Sequence, residues 1–179
     1  MGPLNHPSSL EEFAVPDKEY LSKHPEYDVL CTGVAVFDKN GKLLLVQRAA
    51  DEKAFPNAWE VPGGKVDDTD ETILHAAARE LKEETGLTAT RIRRKVTEFT
   101  FRDERPGRRP VTWLKLIFEI EVEDTKVTLD PVEHQRYLWA SEEEVVRDLV
   151  GDIKLAYVSP PNKTVKLEAF RLQKEAVPS

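Results

Sequence analysis

The chain has 179 residues with a formal net charge of −7; 40% of them are hydrophobic and 33% charged. That length suits one domain with a sizeable core. The acidic balance argues against general binding to nucleic acid or membrane surfaces, and the single cysteine, Cys31, excludes an internal disulfide framework and a cysteine-based zinc site. No apolar run reaches the roughly 18–20 residues of a membrane helix, and the N-terminus has neither the basic start nor the apolar stretch of a signal peptide. A cytoplasmic protein is the expectation.

Residues 1–27 carry Pro3, Pro7, Pro16 and Pro25 and no sustained period; they are read as an N-terminal extension with one short helix from Asp17 to Lys23. Residues 28–179 are read as a single domain. Val29 to Phe37 is β-branched and apolar, Asp38-Lys39-Asn40-Gly41 is a turn, and Lys42 to Gln47 returns, which predicts a β-hairpin. A short extended piece, Ala58 to Val61, runs into Pro62-Gly63-Gly64. From Thr72 to Thr85 the apolar residues Ile73, Leu74, Ala77, Ala78 and Leu81 share one helical face, and Gly86 suits the C-cap.

Residues 92–101 and 111–122 alternate as two strands joined by the loop Arg102 to Pro110, and Tyr137 to Trp139 is a further short strand. Ser141 with Glu144 is a capping-box start for a helix to Val150, and a last helix runs from about Asn162 to Lys174. The order of elements predicts an α/β (α+β) sandwich without the regular alternation of a doubly wound fold. Charge is uneven along it: from Arg91 to Lys115 nine basic residues face three acidic ones. Such a belt against acidic helices would suit a homodimer.

The informative stretch is Gly63 to Leu87. On a helix of about 3.6 residues per turn, Glu80, Glu83 and Glu84 fall at i, i+3 and i+4, so three carboxylates crowd one arc. Their repulsion costs stability unless a cation sits among them. Arg79 can pair with Glu83 one turn on, but a single arginine leaves an excess of negative charge. A hard divalent cation with a preference for oxygen is the natural complement. Solvated surface is the bland alternative for such a face; the Gly-Gly loop before it, and Thr85-Gly86-Leu87 after it, weigh against that.

Here the sequence resembles the Nudix hydrolases. Their box reads Gly, five residues, Glu, seven residues, Arg-Glu-aliphatic, one residue, Glu-Glu, one residue, Gly-aliphatic. Glu71, Arg79-Glu80-Leu81, Glu83-Glu84 and Gly86-Leu87 match that spacing, whereas six residues rather than five separate Gly64 from Glu71. The resemblance covers about residues 28–150 and implies a Nudix-type α/β/α sandwich with a mixed β-sheet. It implies a hydrolase of nucleoside diphosphates linked to another moiety, needing Mg²⁺ (Mn²⁺ is the other candidate). Gly64 through its carbonyl, Glu80, Glu83 and Glu84 would hold the metal. Arg79 would orient a box glutamate, and Glu71 would stand as the first box glutamate.

Outside the box, Glu133-His134 before a Trp-containing strand resembles a passage of several Nudix branches, which makes Glu133 a candidate general base. Catalysis is therefore assigned to Glu83, Glu80, Arg79 and Glu133. Arg48 is a candidate phosphate ligand, Trp59 and Phe55 could stack on a base, and Arg102 could clamp phosphate. Cys31, His75, Trp113 and Trp139 read as ordinary strand, helix and core residues. The expected substrate is a nucleoside triphosphate or a dinucleoside polyphosphate. A prenyl diphosphate, a catalytically silent binding module and an RNA-directed decapping activity stay open at this stage, and nucleic acid is the least favoured partner.

Overall fold

The structure is a computed structural model that describes residues 3–175. A 3-10 turn, Ser8–Phe13, precedes α1 (Asp17–Lys23), β1 (Val29–Ala35), β2 (Leu43–Arg48) and β3 (Trp59–Glu60). Then come α2 (Ile73–Thr85), β4 (Ala89–Asp103), β5 (Val111–Val122) and β6 (His134–Ala140). The chain closes with α3 (Glu142–Arg147), the two-residue strands β7 (Leu149–Val150) and β8 (Ile153–Lys154), and α4 (Pro160–Glu175).

The strands form two three-stranded sheets. One has the order β1-β5-β4, with β1 parallel to β5 and β4 antiparallel to it; the other has the order β3-β2-β6 and is antiparallel throughout. The expected hairpin of β1 with β2 is therefore corrected. Its turn does form: the Asp38 amide donates to the Lys42 carbonyl at 2.9 Å, and the Asp38 carboxylate accepts the amides of Asn40 and Lys42. Past one bridge between Phe37 and Leu43, the two strands part into different sheets. Every residue of β1 after Val29 is buried, as are the first four of β2. Strands buried on both faces need cover on both sides, and an isolated hairpin cannot supply it.

Alternation along β2 separates the layers. Leu44 joins a core with Ile73, Leu74, Ala77 and Leu81 of α2 and with Leu30, Val34, Leu116 and Phe118 of the mixed sheet. Leu43 and Leu45 join a second core with Trp59, Ile117, Val145, Val165 and Phe170. Helices thus cover both sides of the strands, as an α/β/α sandwich requires.

The N-terminal residues belong to the first core rather than standing off it. Leu10, Phe13 and Tyr20 are buried there, Phe13 meets Phe118 edge-on at 5.4 Å, and the Ile73 amide at the start of α2 donates to the Val15 carbonyl. Helix α3 has its capping box, Ser141 with Glu144, but stops at Arg147, where Asp148 turns left-handed and β7-β8 follow. Among the described residues no helix is long and apolar enough to cross a membrane.

Candidate active site

Helix α2 carries the site because both its ends are fixed. Thr72 accepts the His75 amide at its N-terminus, and Gly86, at φ +73°, closes its C-terminus. Its apolar stripe faces the first core. The opposite flank meets residues 62–66, which run along the free edge of β1: the amides of Thr32 and Val34 donate to the carbonyls of Gly64 and Pro62, and the Val66 amide donates to Leu30.

Two glycines make this approach possible. A Cβ at Gly63 would lie 2.1 Å from the Thr32 carbonyl oxygen, and one at Gly64 would lie 2.5 Å from the Glu80 carboxyl carbon. The backbone comes so close to Glu80 that no side chain fits between them.

Arg79 is the hub of one half of the site. It holds Asp70 in a two-toothed grip, Nε to Oδ1 at 2.8 Å and Nη2 to Oδ2 at 2.9 Å. Its Nη1 donates to Glu80 at 3.0 Å and to Glu83 at 2.9 Å, and Nη2 also reaches the Lys65 carbonyl. Burial pushes the Asp70 carboxyl up, but the bonds from Arg79 and from the Asp67 amide outweigh it and leave Asp70 below its ordinary range. The guanidinium is correspondingly held charged more firmly than usual, chiefly by Asp70.

The other half is centred on the buried Glu84 and His134, with Glu133 exposed at its rim. Glu84 is 4% exposed and accepts the Gly63 amide at 3.0 Å. Burial drives its carboxyl up to about 9, and the neighbouring charges of Glu60, Glu133 and Glu80 add to the effect. Glu80 is raised as well, by burial first, with Arg79 opposing and Glu83 and Glu133 reinforcing. Ligand atoms of Glu84, Glu133 and His134 all lie within 4.8 Å of one another. Below them, Glu60 binds His134 Nε2 at 3.1 Å and Arg48 Nη1 at 3.2 Å. This convergent, undercompensated set of carboxylates fits a divalent cation.

A family model described as the NUDIX domain matches residues 29–159. The chain belongs to the Nudix hydrolases. The Escherichia coli (strain K12) CTP pyrophosphohydrolase is 34% identical over 145 residues, 81% of this chain and 93% of that one. A Danio rerio protein, m7GpppN-mRNA hydrolase NUDT17, is 44% identical over 87 residues, 48% of this chain; the match spans only 27% of that longer relative. Among solved structures, the MutT protein of Methanosarcina mazei Go1 shares the fold, with a TM-score of 0.62 at 23% identity over 82% of this chain and 95% of that one.

The structure redistributes roles within the Nudix box. Glu71, expected as the first box glutamate, is 74% exposed on its side chain and lies 3.7 Å from the His75 ring. The acid that Arg79 grips is Asp70. With six residues between Gly64 and Glu71, Asp70 stands at the five-residue spacing, so the extra loop residue moves the inward-facing acid back by one. Glu80 and Glu83 share Arg79, whereas Glu84 turns inward to Gly63. The Gly64 carbonyl, a candidate metal ligand, accepts the Thr32 amide at 2.8 Å.

Trp59, a candidate base-stacking residue, is 1% exposed and lies in the second core. Alternation on β3 sends Glu60 toward the site and Trp59 away from it. The Trp59 carbonyl instead accepts a hydrogen bond from the buried Lys166 of α4 at 2.8 Å. Arg48 does reach the site, but Glu60, Glu52 and the Ala54 carbonyl engage its guanidinium. Phe55 is 56% exposed on the 49–58 loop. Arg102 pairs with Glu104 and stands opposite Thr112 on the ribbon, well along the strand from Ile117, the partner of Gly33 beside the loop. The structure does not bring Arg102 to the box acids. Asp70, Glu60 and His134 are the site-forming residues that spacing alone did not single out.

Proposed function

We propose that this Nudix hydrolase is a divalent-cation-dependent pyrophosphohydrolase of nucleoside triphosphates, releasing a nucleoside monophosphate and pyrophosphate. The observation that carries the reading is the convergence of Glu84, Glu133 and His134 beside the Gly63 amide, with Arg79 holding the remaining box acids in place. Near full-length similarity to a CTP pyrophosphohydrolase supports the substrate class.

Glu84, Glu80 and Glu133 would hold the cation, with Glu83 available once it leaves Arg79. Mg²⁺ or Mn²⁺ bound there supplies charge neutralisation for the polyphosphate and acidifies water. The chain's own groups do the rest. Arg79 holds Glu80 at 3.0 Å, so that this carboxylate would meet the cation without reorganisation. Glu133, exposed at the rim, would face the cation with one carboxylate oxygen and with the other accept the proton of the attacking water, as the water oxygen bonds to phosphorus and the anhydride P–O bond breaks. The departing phosphoryl oxygens leave as an anion.

The test is product analysis by mass spectrometry in ¹⁸O-labelled water with Mg²⁺ or Mn²⁺, with Glu84→Gln alongside. The panel holds CTP and other nucleoside triphosphates, dinucleoside polyphosphates, capped RNA and a prenyl diphosphate. Pyrophosphate and a monophosphate from a nucleoside triphosphate, lost in the variant, are the expected outcome. Turnover of capped RNA or prenyl diphosphate alone would replace the proposed substrate. No turnover at all, with a cation still raising Tm, would favour a binding module.

A further inference from the structure

We infer that His134 is itself a ligand of the cation, and that this mixed nitrogen–oxygen site favours Mn²⁺ over Mg²⁺. The inference rests on the cation-dependent reading above and deepens it.

The imidazole of His134 is 2% exposed. Its Nε2 lies 3.1 Å from Glu60 Oε1, while Nδ1 is buried with no hydrogen-bond partner. The same Glu60 carboxylate accepts Arg48 Nη1 at 3.2 Å, so it is held in place from two sides. Glu60 thus engages one ring nitrogen and leaves the other without a partner among the described residues. A buried polar atom without a partner is costly unless something meets it.

The same ring has a nitrogen within 4.8 Å of ligand oxygens of both Glu84 and Glu133. A carboxylate that orients a histidine by accepting its far N–H is the usual support of a metal-ligating imidazole. The backbone fixes the ring equally well. The amides of Glu133 and His134 both donate to the Asp130 carbonyl, the Asp130 carboxylate accepts the Val132 amide, and the Asp130 amide donates to the Glu84 carbonyl at 3.2 Å. The turn bearing two of the ligands is thus tied to the helix end bearing the third. Mg²⁺ demands an oxygen-dominated octahedron, whereas an imidazole suits transition metals, which sets the preference.

The experiment is pulsed electron paramagnetic resonance of Mn²⁺ bound to the full chain without substrate, using protein labelled with ¹⁵N only at histidine. Coupling to a histidine nitrogen is expected. His134→Gln should abolish it and raise the Kd for Mn²⁺ at least about tenfold, while the Kd for Mg²⁺ moves by less than about threefold. Glu60→Gln, which leaves all three ligands in place, should weaken Mn²⁺ binding about tenfold with the coupling reduced or redistributed. Mn²⁺ that binds without nitrogen coupling overturns the assignment and leaves the cation-dependent reading standing. Failure to bind Mn²⁺ or Mg²⁺ at all overturns both.

Discussion

The acidic site has two halves built from the same residue types and held in opposite ways. Around Arg79, the carboxylates of Asp70, Glu80 and Glu83 are each within 3.0 Å of a guanidinium nitrogen. Around Glu84, two acids and a histidine converge, no arginine or lysine among the described residues is bonded to Glu84 or Glu133, and the buried carboxyl of Glu84 rises to about 9. The first half is neutralised by the chain and gives the helix face its geometry. The second lacks such a partner, and on the proposed reading a bound cation would complete it. On that reading the first half mainly serves stability and the second mainly serves chemistry.

Substitutions should separate the two. Glu84→Gln is expected to lower kcat/KM about 10³-fold, the loss of several kcal/mol of charge stabilisation. It should leave the metal-free Tm unchanged or higher, because an amide suits a buried site better than an uncompensated acid. Arg79→Met should do the reverse in the absence of cation, costing about 3 kcal/mol in urea denaturation by stripping Asp70, Glu80 and Glu83 of their partner. If the two variants destabilise the metal-free protein equally, the division between the halves is wrong.

Asp70→Asn against Glu71→Gln is a finer comparison. The first should cost about 2 kcal/mol through the lost two-toothed grip, the second less than about 0.5 kcal/mol, again by denaturation. The smallest effect concerns pH. Burial lowers the Lys166 ammonium from 10.5 to about 7, so between those values the unfolded chain binds the extra proton. Wild-type stability should therefore gain from this group as pH rises from 7 to 10.5 and lose that gain as pH falls through 7. Lys166→Met removes the dependence: its Tm should exceed that of the wild type by roughly 5 °C at pH 6, with the gap closing toward pH 10.

The Nudix fold and the helical part of the box were legible because they rest on local signals. The apolar stripe from Ile73 to Leu81, the Thr72 and Gly86 caps and the i, i+3, i+4 acids all sit within one helix. What could not be read depends on pairing at a distance. The Asp38–Gly41 turn reads as a hairpin, yet nothing local says that β1 prefers β5 to β2. Trp59 and Glu60 are neighbours in a two-residue strand, too short for its alternation to show which one faces the site.

The Asp70 exchange carries a further lesson. Counting back from Arg79 gives Glu71, and counting forward from Gly64 gives Asp70. Only the fold of the loop shows which count the arginine obeys. His134 stood in view within Glu133-His134, but its role depends on Glu60, 74 residues earlier in the chain.

The hydrogen bond from Lys166 to the Trp59 carbonyl has an evolutionary reading. Helix α4 begins at Pro160, just past the region matched to the family, yet its lysine grips the strand residue that immediately precedes Glu60. Glu60 in turn seats His134. Changes along α4 can therefore shift the seating of the acids by small steps while every residue of the box stays as it is. In a lineage that must keep its motif intact, this helix is the place where rate and metal preference are free to drift.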